Sequence, residues 1–262
     1  MSLQQKILVP CDYSELSLNA LLFACGLAAG SKGEVYVLSV ITDSRPEVSQ
    51  RDLYQAEFAK VAGSGLWEGI TVRQLIRTGK LVDEILKAIN ELEITQLVVG
   101  TRGSRGWDGV FAGSYAGKLV RASPVPVFSI KQPARPQQIR DIVFPCDFEQ
   151  SRPAFINAMK KMQAAFSGRL HLLHVTTGKE DDRKLISDMQ DFAGANTLER
   201  YTLNVRAAES EEKGIIRFAT EIGADMIAMT THSRDLAHLY FTSIAANVVN
   251  HSRIPTWTYS GA

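Results

Sequence analysis

The chain has 262 residues, 45% hydrophobic and 22% charged, enough for one large domain or two of about 130 residues. Lysine and arginine number 29 against 28 aspartate and glutamate, and a net charge of +1 excludes an electrostatic case for nucleic acid or an acidic membrane surface. The longest apolar run, Ala20 to Gly30, is too short to span a bilayer, and three cysteines without C-x-x-C spacing exclude a disulfide framework. The opening residues lack a signal-peptide pattern, so the expectation is a soluble, cytoplasmic protein.

Along the chain, short β-branched runs alternate with longer segments of helical period. Strands are expected near 6–11, 34–41, 70–76, 96–100 and 125–130, and helices near 15–30, 47–62, 80–92 and 113–122. The strands read as near-continuous apolar runs, such as "ILV" and "VYVLSVI", which suits a sheet with helices on both faces. Such alternation predicts a parallel, doubly wound α/β sheet.

The pattern is then written again. "KILVPCDYSE" (Lys6 to Glu15) lines up with "DIVFPCDFEQ" (Asp141 to Gln150), and "GEVYVLSV" (Gly33 to Val40) with "GRLHLLHV" (Gly168 to Val175). "QLVVGTRG" matches "MIAMTTHS", and "SPVPVFSI" matches "SRIPTWTY". Second-copy strands are expected near 141–146, 169–176, 200–207, 225–230 and 254–259. Two domains, 1–132 and 139–262, follow, joined by the polar, proline-containing "KQPARPQQ".

The glycine-rich segment after the fourth strand demands an explanation, since clustered glycine marks φ > 0 or close approach to the main chain. It is no Walker A loop: "GSYAGKL" (Gly113 to Leu119) is one residue short and has leucine where the magnesium-binding hydroxyl belongs. Nor is it a dinucleotide fingerprint, because "GTRGSRG" has the wrong spacing, follows the wrong strand and leads to no acid. What remains is Gly100-x2-Gly103-x9-Gly113-Ser114, between a strand and a helix.

This pattern, with the strand ending "VPCD" and the closing "SPVPVFSI", resembles the ATP-binding universal stress protein family over essentially the whole chain, and the double copy resembles its tandem members. The resemblance implies two tandem Rossmann-like sheets of order 3-2-1-4-5, packed as an internal pseudo-dimer through their last strands. It also implies ATP, with or without magnesium, as cofactor. Gly100, Gly103, Gly113 and Ser114 would hold the phosphates, Asp12 the ribose, and Val40 and Val99 the adenine. Backbone N–H groups, a helix amino terminus and a hydroxyl converging on anionic oxygens make the chemistry sensible.

Plainer roles stand beside these. The loop reads also as a crossover, Asp12 as a helix or Asx cap, Arg102 and Arg105 as solvated residues, Trp107 as packing, and Cys11 and Cys146 as inert buried residues. In the second copy Thr230, Ser233 and Thr242 replace Gly100, Gly103 and Gly113, and of the pattern only Ser243 survives. No ATP site is therefore expected there. His171 and His174, three apart on a strand, point to opposite faces. Cys146, His174 and His232 are ligand types that suit zinc, but no metal site is assigned.

The functional expectation is an ATP-binding stress-response or regulatory protein without efficient catalysis, with ATP in the first domain. The S-G-G-x-D-S and H-x-G-H motifs of related ATP-consuming families are absent. A slow ATP hydrolase and a nucleotide-free interaction scaffold are the alternatives. Unidentified client proteins, and a homodimer, are the expected kinds of partner.

Overall fold

A computed structural model describes residues 5–42, 47–101, 114–146, 153–178, 181–231 and 238–259, with Glu47, Ser114 and 238–243 described by backbone alone. The chain divides into two compact units, residues 1–136 and 137–262.

The first unit runs β1 (Lys6–Pro10), α1 (Glu15–Ser31), β2 (Glu34–Ile41), α2 (Glu47–Gly63), β3 (Thr71–Thr78), α3 (Leu81–Glu91), β4 (Gln96–Gly100), α4 (Ser114–Ala122) and β5 (Val127–Ile130). Its strands lie in the order β3-β2-β1-β4-β5, every adjacent pair parallel. Helices cover both faces, which is why Ile7, Leu8 and Val9 are all fully buried although consecutive strand residues point oppositely.

On one face, α3 and α4 bring Ile85, Ala88, Ile89 and Leu119 onto Leu8, Leu38, Leu97 and Val99. On the other, Phe23 of α1 meets Phe128 of β5 at 5.2 Å between ring centres. A side chain of this size, fully buried, stabilises the fold by about 2–3 kcal/mol. The longest apolar run of the sequence thus ends inside α1, with Ala20, Leu21, Phe23 and Ala24 in the core and Leu22 on the surface.

The second unit repeats the plan: β6 (Asp141–Pro145), α5 (Pro153–Phe166), β7 (Arg169–Thr176), α6 (Asp182–Ala195), β8 (Tyr201–Ala207), α7 (Glu211–Glu221), β9 (Met226–Thr230), α8 (His238–His251) and β10 (Thr256–Tyr259). Strand order within it is β10-β9-β6-β7-β8, again 3-2-1-4-5 by position in the unit and again parallel. Trp257 takes the place of Phe128 and packs on Phe155 of α5 at 5.8 Å. Between the units, the segment expected as a polar linker contains a 3-10 turn at Pro136–Gln138 with Pro136 buried.

Candidate functional site

In an open parallel sheet a ligand crevice forms beyond the carboxyl ends of the strands where the order reverses, here between β1 and β4. Asp12, two residues past β1, is exposed there. Its Oδ1 accepts hydrogen bonds from the Ser14 amide (3.1 Å), the Ser14 hydroxyl (2.6 Å) and the Ser17 hydroxyl (2.8 Å). Ser14 is the N-cap of α1, but its own side chain caps nothing. Asp12 instead accepts the amide two residues on, so of the plainer roles expected for it the Asx turn is present.

Gly100 closes β4 on the far side of the crevice. A Cβ added to it would lie 2.3 Å from the Leu16 carbonyl oxygen and 2.9 Å from the Ser17 nitrogen, both backbone atoms in the first turn of α1. No L side chain fits, so helix-on-strand packing alone demands glycine here, before any ligand is considered. Asp12 and Gly100 are thus joined through Ser17, whose backbone rests on one and whose hydroxyl binds the other.

Val40 and Val99 each lie one residue before the end of their strands, β2 and β4. Val99 is buried in the cluster under α3 and α4, and the half-buried Val40 packs against that cluster. Next to them Thr101 follows β4, its amide bonded to the Ile130 carbonyl at 2.9 Å and its hydroxyl buried without a partner among the described residues. Gly103 and Gly113 lie outside the described residues, as do Arg102, Arg105 and Trp107. α4 is described from Ser114 onward. Its Tyr115 lies within reach of the Asp12 charge: burial first, and then that charge, push the phenol far above its ordinary range.

Sequence reasoning passed over several residues that line this region. Ser14 and Ser17 were legible as hydroxyls two and five positions after an acid at a strand end. Tyr13 was not: it adopts φ of 61°, a left-handed conformation uncommon for a bulky residue. Its phenol receives a bond from Gln74 Nε2 at 3.4 Å, its ring lies 6.1 Å from that of Tyr54, and burial pushes its pKa to about 12. Cys11 is buried, gives its thiol to Ser17 Oγ at 3.4 Å, and burial holds it at about 11.

The second crevice is built otherwise. Thr230 stands in place of Gly100. Ser243 matches Ser114 in sequence, yet α8 begins at His238 and carries Ser243 within its length. Its amide therefore faces an intrahelical carbonyl instead of the crevice. His174 Nδ1 lies 3.4 Å from the Cys146 carbonyl, while His232 is outside the described residues. Among the described residues no group of three or more His, Cys, Asp or Glu could hold a metal ion. His171, on the other face as its spacing requires, bridges Asp141 (2.9 Å) and Thr202 (2.8 Å).

No helix among the described residues is long and apolar enough to cross a membrane. A universal stress protein of Methanocaldococcus jannaschii is 25% identical over 147 residues, covering 51% of this chain and 86% of that protein. The YxiE universal stress protein of Bacillus subtilis is 27% identical over 147 residues, covering 48% of this chain and 98% of its own. Each thus corresponds to about one unit. The crystal structure of a universal stress protein from Archaeoglobus fulgidus superposes with a TM-score of 0.77 over 98% of both chains at 21% identity, a likeness of fold. The model of the universal stress protein family matches residues 4–131 and again 138–260, so the chain belongs to that family, as two domains in tandem.

Proposed function

We propose that the first unit binds one ATP at the carboxyl ends of β1, β2 and β4, and that the second unit binds none. The observation that carries this reading is the crevice beyond β1 and β4, where α1 seats on Gly100 and the exposed Asp12 is held by Ser14 and Ser17, while the second unit has Thr230 in place of Gly100. The spaced glycines lead from Gly100 to Ser114, whose helix would add amides suited to anionic oxygens. In the second unit the matching Ser243 is preceded by helical residues from His238 onward. Asp12, exposed beside α4, is the acceptor for ribose hydroxyls, and Val40 and Val99 form the apolar floor under the base. The phosphates lie on Gly100, Gly103, Gly113 and Ser114, with magnesium where ATP carries it.

Losing the glycines at positions 233 and 242 removes room for two phosphate contacts. At about 1.5–3 kcal/mol for each charge-assisted bond, binding in the second unit falls by roughly 10²- to 10⁴-fold. The reading includes no efficient turnover, because the sequence lacks the S-G-G-x-D-S and H-x-G-H motifs of related ATP-consuming families and offers no evident general base or nucleophile with the loop. Hydrolysis below about one per minute is expected, against ~1–10³ per second for typical enzymes. The protein is then a cytoplasmic nucleotide-dependent regulator, with client proteins or a second copy of the chain reading the loaded first unit. Its three cysteines, none in a disulfide, suit a reducing compartment.

Calorimetric titration of ATP into nucleotide-stripped protein, with and without magnesium, tests this. Saturable binding that disappears in Gly113→Val supports it. A titration without heat of binding, or binding that survives Gly113→Val unchanged, overturns it.

A further inference from the structure

We propose that Ser17 is a positioning residue for nucleotide recognition: it fixes the Asp12 carboxylate so that Oδ2 is presented to the ribose. The inference rests on the ATP-binding reading above and goes beyond it by naming what orients the acceptor.

Three donors arrive at one oxygen. The Ser14 amide and hydroxyl and the Ser17 hydroxyl all bond to Oδ1, at 3.1, 2.6 and 2.8 Å. A carboxylate offers about four lone-pair sites over its two oxygens, so this arrangement saturates Oδ1 and leaves Oδ2 as the acceptor facing outward from an exposed residue. An Asx turn that merely capped α1 would need only the Ser14 amide. The Ser17 hydroxyl has its own support. Ser17 is largely buried, its oxygen receives the Cys11 thiol at 3.4 Å, and its backbone is seated against Gly100.

The second unit supplies an internal control. It keeps the aspartate, Asp147, yet places Glu149 and Arg152 where Ser14 and Ser17 stand, and Thr230 where Gly100 stands. If the aspartate served only the strand-to-helix turn, nothing would tie the hydroxyls to the glycine. They occur together in the unit with the glycine pattern and are lost together in the other.

The test compares ATP with 2′,3′-dideoxy-ATP, which lacks the hydroxyls that Asp12 would bind, in the wild-type chain and in Ser17→Ala. In the wild type, ATP should bind about tenfold or more tightly than the dideoxy analogue, the worth of a hydrogen bond to a charged group. In Ser17→Ala that ratio should fall to about threefold or less, because a carboxylate free to rotate loses orientation as well as a partner. Taking a ratio within one variant cancels any general loss of folding. A Ser17→Ala protein that keeps the wild-type ratio, even with both affinities lowered, overturns the positioning role and leaves the ATP site standing. A wild type that binds both nucleotides equally, or neither, overturns the underlying reading and this inference with it.

Discussion

The two crevices start from the same three residues, Pro-Cys-Asp at the end of β1 and of β6, and diverge on every side of them. In the first, a helix sits down on a glycine and the serines at its start grip the aspartate. In the second, a threonine stands in place of the glycine, Glu149 and Arg152 stand in place of the serines, and the matching serine lies inside α8. The strands and their order are the same in both. The strand order therefore does not require these residues.

The comparison can be broken hardest at Gly100. Gly100→Ala should destabilise the first unit by about 3 kcal/mol, because the new Cβ meets backbone atoms that only a shift of α1 can move aside. Thr230→Gly, the reverse change in the second unit, should cost about 1 kcal/mol or less, the backbone-entropy penalty of a strand glycine. Urea unfolding of both variants reads the difference. Equal, small effects would mean that α1 is not seated on β4 as described.

A smaller effect sharpens the contrast between the matching cysteines. Cys11 is 4% exposed while Cys146 is half-buried. With its pKa raised to about 11, Cys11 stays a thiol at pH 8, and its thiolate increases about tenfold per pH unit until that value is reached. Alkylation at pH 8, read by peptide mass spectrometry, should modify Cys146 on the order of a hundredfold faster than Cys11. Denaturant should abolish the difference. Rapid labelling of native Cys11 would place it in an open crevice and remove the shielding that keeps it inert.

Much of the fold was legible because buried parallel strands are short, apolar and separated by helical periods. β1, β2 and β4 fall within a residue of their expected limits, and the repeat carried the same reading into the second unit. The strand order was not contained in periodicity. It came from the family resemblance, and the parallel pairings display it. In the site, Asp12 could be placed from its position after a strand, but its bonds to Ser14 and Ser17 depend on the angle at which α1 leaves the turn. Gly100 shows the sharper limit. Sequence alone offers a turn, a crossover or a nearby phosphate as reasons for a glycine, while tertiary packing adds the seat of α1. Nor could pattern foresee that α8 would extend past Ser243, since a serine in a helix interior and one at its start read alike.

Counting the nucleotides bound per chain tests the central claim most directly. Calorimetry of ATP into stripped wild-type protein should give a stoichiometry near one, retained in Ser243→Ala. Two ATP per chain, or a single site lost in Ser243→Ala, would contradict the assignment of ATP to the first unit alone.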